Sequence, residues 1–146
     1  RMLFGADMVS PLSVHSANLR FQLEHELNGK LMQLRSRYLL ARGNRRFVTE
    51  LMIRSLSSFL ILCRGALRLY QPTVPAKKLE ALGELAKYVP IHTQVFTTIA
   101  QLKAGQRVAR YDSDELFAEY VRMIELVVDA VASVLHSNRL ERREVS

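Results

Sequence analysis

Five arginines crowd one short stretch of this sequence: Arg35, Arg37, Arg42, Arg45 and Arg46, with Lys30 one to two turns back. Guanidinium groups at that density can grip the phosphates of a nucleotide or an RNA. Aromatic side chains for base stacking are sparse beside them. Only Tyr38 and Phe47 are near, and both also fit core positions. The same cluster also reads as a solvated helix end, since cations favour helix C-termini. Three more arginines, Arg54, Arg64 and Arg68, interrupt an apolar segment, and the last two share a helix face. They either pair with acids such as Glu24, Glu26, Glu119 or Glu125, or point into a groove that takes an anion. Pairing is the expectation, because arginine is the usual choice for part-buried ion pairs. Arg35, Arg42, Arg45, Arg46, Arg64 and Arg68 are therefore the candidate substrate- or phosphate-binding residues.

Other constellations are weaker. Asp112-Ser113-Asp114 is a D-x-D pair, a spacing that can hold magnesium and a triphosphate. Nucleotide-transferring enzymes mount such a pair on a strand after a Gly-Ser turn, with a third acid further on. That setting is missing here, and helix capping accounts for both acids. Arg20 and His25 match R-x-x-x-x-H, which resembles the motif of the HEPN helical ribonucleases. Five residues is about 500° of helix, which leaves the two side chains about 140° apart. They converge poorly within one helix, although a dimer could gather them. The histidines His15, His25, His92 and His136 have no i, i+4 pairing and no cysteine companions, so no zinc site is expected.

The elements that must carry these residues are all helical. Residues 47–70 have apolar side chains over more than half the girth of a helix, which marks a central helix contacted from several sides. At 1.5 Å per residue that helix is about 36 Å long. Its longest uncharged run, residues 55–63, falls far short of the ~20 residues a membrane span needs. Before it, Leu19, Leu23, Leu27, Leu31, Leu34 and Tyr38 form an amphipathic stripe in a helix beginning near Ser16. Gly29 sits within that helix and suggests close approach by a neighbour. Gly43 and Asn44 close one helix and cap the next, so the first two helices are antiparallel neighbours. Two shorter helices follow, at residues 76–88 and 91–104. Leu79, Leu82, Leu85 and Ala86 face inward in the first, and Val95, Phe96, Ile99 and Leu102 in the second. Asp112 to Glu115 start the last helix, whose apolar positions run from Leu116 to Leu135. The expected fold is an all-α, up-and-down helical bundle of about five helices, three long and two short. Residues 1–15 form a lead-in, residues 16–138 the bundle and residues 139–146 a charged, fraying tail.

With 146 residues, such a domain needs no metal or disulfide to hold it. Its one cysteine, Cys63, reads as a small buried hydrophobe and points to the reducing cytoplasm. The net charge of +7, from 21 basic and 14 acidic residues, suggests an acidic or phosphate-bearing partner and is equally compatible with a merely soluble basic surface.

Residues 19–35 read L-R-x-Q-x-E-x-E-L-x-G-K-L-x-x-L-R, and residues 54–69 read RSLSSFLILCRGALRL. Together they resemble the C-terminal helical region of bacterial proteins with an N-terminal nucleotidyltransferase domain. That group includes the kanamycin-nucleotidyltransferase C-terminal and HEPN types of bundle. The resemblance covers residues 1–70. It implies that a catalytic domain precedes Arg1, carrying the Gly-Ser and paired acids and holding magnesium and a nucleoside triphosphate. No catalytic residue and no cofactor is then expected in the bundle itself. The implied role is a non-catalytic accessory domain that contributes to acceptor-substrate binding, cleft closure or dimerisation. The alternatives are a HEPN-like ribonuclease using Arg20 and His25, or a basic helical module that binds nucleic acid.

Overall fold

The computed structural model describes the backbone of residues 9–145 and the side chains of residues 18–134. Residues 1–8 of the lead-in and the side chains of His15 and His136 lie outside the described residues. Five helices make up the described chain: α1 (Val9–Ala41), α2 (Arg45–Leu67), α3 (Lys78–Leu85), α4 (Gln94–Lys103) and α5 (Ser113–Val145). The architecture is all-α, and the described residues contain no strand.

The helix boundaries differ from expectation at both ends of the chain. α1 starts at Val9, not near Ser16. Pro11 falls in its first turn, where the backbone N–H it lacks would have no helical partner. α5 continues to Val145, so the charged tail is helical rather than frayed. The sequence NRLERREV contains no glycine or proline and is rich in helix-forming arginine, glutamate and leucine.

α2 packs against each of the other four helices. Val48, Met52, Leu56, Phe59, Leu60, Leu62, Cys63, Ala66 and Leu67 are its buried residues. α1 lies antiparallel to it. Leu23 meets Gly65, whereas Leu34, further along α1, shares a groove with Leu51 and Phe59 near the other end of α2. α5 runs parallel to α2, because Tyr111 reaches Thr49 and Tyr120 reaches Ser55. The chain returns between them through α3 and α4. Arg64 of α2 holds the Ala76 carbonyl, Gln71 bonds Glu84 of α3, and Lys103 at the end of α4 donates to Ser57. The two short helices thus form the third leg of an up-and-down bundle. The loop after α4 is left beside the α1–α2 turn.

The stripe of α1 packs as expected, with Leu23, Leu27, Leu31 and Leu34 buried. In α5, Phe117, Tyr120, Ile124, Val127 and Val131 are buried. Tyr120 packs edge-on against both Phe59 and Phe96. Several inward assignments are corrected. Leu79 is 42% exposed, because in α3 it is Ala81, Leu82 and Leu85 that face α2. Ile61 and Phe47 are also exposed, since α2 leaves one side open to solvent. Gly29 is not a close-approach point, because a Cβ there would meet nothing within 4 Å. The close approach is at Gly65, where a Cβ would lie 2.9 Å from Leu23 Cδ2.

Candidate anion-binding surfaces

At one end of the bundle the α1–α2 turn and the α4–α5 loop come together. Gly43, at φ +86°, reverses the chain after α1. Asn44 then caps α2 by accepting the Phe47 N–H at 3.2 Å. This geometry puts Arg45 and Arg46 in the first turn of α2, which contains no acid. That is the positive end of the helix dipole, where cations are disfavoured and anions attracted. The favourable C-terminal placement accounts for Arg42, just past α1, but not for Arg45 or Arg46.

Arg45 lies over the Tyr111 ring, 4.4 Å from its centroid. Tyr111 shares a 3.1 Å hydrogen bond with Thr49 of α2, which fixes the loop against the turn. Between them is an open hollow of about 410 Å³, lined by Gly43, Arg45, Arg110, Tyr111, Asp112, Ser113 and Asp114. Its two carboxylates already have structural partners. Asp112 Oδ1 accepts the backbone N–H groups of Asp114 and Glu115 at 2.9 and 3.1 Å, capping α5. Asp114 accepts the Tyr38 hydroxyl at 2.8 Å, which is the chief cause of a raised Tyr38 pKa. Tyr38 also stacks on Phe117, with ring centroids 4.1 Å apart. The D-x-D pair is thus committed to capping and to a tyrosine. Among the described residues no group of three or more His, Cys, Asp or Glu side chains could hold a metal ion.

Arg42, Arg46 and Arg110 make no ion pair or side-chain hydrogen bond among the described residues. Phe47, expected to fit the core, is exposed beside Arg46, and Leu39 and Leu40 are exposed just before the turn. Arg110 and Tyr111 were not legible as site residues. Their signal is the run Arg107 to Tyr111 between Gly105 and the α5 cap, but only the bundle's closure brings that loop to the arginine turn.

The remaining predicted residues lie elsewhere. Arg35 is ion-paired with Glu125 across α1 and α5. Arg64 and Arg68 line a separate groove of about 180 Å³ with Leu19, Gln22, Leu23 and Glu26. Arg64 is eighteen residues beyond Arg46, about 27 Å along α2, so the six arginines do not form one site. Arg54 pairs with Glu50 at 2.7 Å, one turn back on α2, rather than with the acids of other helices. Glu119 instead meets His92 at 2.8 Å. Arg20 and His25 both lie on the continuous α1, which keeps them about 140° apart, so one copy of the chain does not bring them together. Cys63 is buried, and burial pushes its thiol up to about 12, as befits an inert core residue.

No family model, curated protein or solved structure matches this chain. No helix among the described residues is long and apolar enough to cross a membrane.

Proposed function

We propose that this bundle is a non-catalytic accessory domain of a nucleotidyltransferase-type protein, and that its basic end engages a phosphate-bearing acceptor substrate. One observation carries the binding half of the reading. Arg45 from the first turn of α2 and Arg110 from the α4–α5 loop flank a single hollow, with Arg42 and Arg46 exposed nearby. Like charges gathered at the positive end of a helix repel one another and the dipole. A bound phosphate would relieve both terms. The accessory half rests on the resemblance of residues 19–35 and 54–69 and on the all-α fold. The exposed Phe47 offers an aromatic face beside the arginines, which favours a nucleotide or single-stranded nucleic acid as the phosphate carrier.

Two measurements test this. Binding of a labelled single-stranded oligonucleotide should weaken linearly on a log–log plot as salt rises. Changing Arg42, Arg45 and Arg46 together to alanine should abolish most of that binding without unfolding the bundle. Salt-insensitive or unchanged binding would refute the basic-end assignment. Coding sequence upstream of Arg1 should carry a Gly-Ser turn followed by paired acids, and its absence would refute the accessory role.

A further inference from the structure

Midway along the α1–α2 hairpin, away from the basic end, a second concavity collects charge that neither the fold nor the proposed end-on binding uses. α1 contributes Lys30 and Arg37, seven residues apart on one face, and α2 contributes Arg54 and Ser58, one turn apart. Gln33 adds an amide, and Leu34, Leu51 and Phe59 supply the apolar lining. The cavity measures about 130 Å³, room for a few water molecules or one phosphoryl group.

No carboxylate lines this groove. Glu50, one turn back on α2, takes Nη2 of Arg54 at 2.7 Å and leaves the other guanidinium donors available. Ser55, also in the lining, is committed to the Met52 carbonyl and the Tyr120 hydroxyl. Lys30, Gln33, Arg37 and Ser58 make no ion pair or side-chain hydrogen bond among the described residues. A charged face that only served solubility would mix both signs. Here three cations ring a hollow with buried Leu34 and Phe59 in its lining.

We infer that this groove binds a phosphate monoester dianion. With Glu50 on Arg54, the three cations leave two uncompensated charges, which match a doubly charged group. Arginine forks can each take two phosphate oxygens, while Lys30 acts as a point charge and Ser58 can donate a hydroxyl hydrogen bond. The volume accommodates the phosphoryl group alone, so whatever carries it must project out of the groove. Two carriers share this chemistry: a small phosphate ester and the 5′-terminal phosphate of an oligonucleotide. The inference does not depend on the basic-end reading, since the two sites have no residue in common.

The test titrates the folded chain with inorganic phosphate, with sodium chloride balancing ionic strength, and follows backbone amide NMR shifts. Saturable shifts centred on residues 30–37 and 54–58 are expected at pH 8. They should weaken several-fold at pH 5.5, because inorganic phosphate takes up its second proton near neutral pH, so the dianion that predominates at pH 8 is a minor species there. Arg37→Gln with Arg54→Gln should weaken binding at the groove at least tenfold, and Lys87→Gln, at an exposed lysine that lines neither concavity, should leave it unchanged. Melting temperatures of the variants confirm that they fold. Adenosine 5′-monophosphate, and an oligonucleotide with or without its 5′-phosphate, then identify the carrier. A 5′-phosphate preference points to the chain end, and binding of the mononucleotide alone points to a small ester. Shifts that do not saturate, that match those from chloride, or that persist in the double variant would overturn the assignment.

Discussion

Two glycines separate propensity from packing, and replacing each with alanine gives opposite results. Gly29 and Gly65 both lie inside helices, so each alanine gains about 1 kcal/mol of helix propensity. At Gly29 the new methyl meets nothing within 4 Å, and the gain stands alone. At Gly65 the methyl would lie 2.9 Å from Leu23 Cδ2, well inside the carbon–carbon optimum of about 3.5–4.0 Å. Leu23 is buried and cannot swing into solvent. Forcing a methyl into a packed contact of this kind costs about 1–3 kcal/mol. Gly65→Ala should therefore be neutral to destabilising by about 2 kcal/mol, and the two variants should differ by about 1–3 kcal/mol. Unfolding entropy is about 2.1 cal/mol/K per residue, or about 0.3 kcal/mol/K for this chain, so 1 kcal/mol moves Tm by about 3 °C. Gly29→Ala should raise Tm by about 3 °C, and Gly65→Ala should lie about 3–10 °C below it. Circular dichroism melts of both variants against the parent provide the measurement. If Gly65→Ala melts as high as Gly29→Ala, the α1–α2 crossing is not where the structure puts it.

Two further outcomes follow from the caps and the core. Asp112→Ala removes the acceptor for two N–H groups at the start of α5 and should cost about 1 kcal/mol, whereas Asp112→Asn should retain most of the cap; melting temperatures distinguish the two. The Cys63 thiol, raised by burial from an ordinary 9.0 to about 12, favours the protonated form in the folded state. The stability tied to it is intact below pH 9 and drains away as pH rises through about 12. Melts in alkaline buffers should therefore show a shallower fall for Cys63→Ala than for the parent, with Tyr120, also raised by burial, accounting for part of what remains.

The periodic leucines of α1, the broad apolar girth of α2 and the cap before α5 made the bundle legible from local pattern. Each is a property of one helix and its own turn, so a linear reading captures it. The terminal helices ran longer than read because proline in a first turn and a charged tail are each compatible with helix. The candidate site was legible only in part. Arg42, Arg45 and Arg46 were visible as a cluster, but Arg110 and Tyr111 lie more than sixty residues away. Only the return of the chain through α3 and α4 places them beside Arg45. In the same way, composition marks Lys30, Arg37 and Arg54 as charges, but only the antiparallel register of α1 on α2 gathers them around one groove. Helical segments and apolar faces can be read along the chain, because hydrophobic spacing and capping act over a few residues. Which charges meet cannot, because charges distant in sequence come together only after the helices have chosen their neighbours.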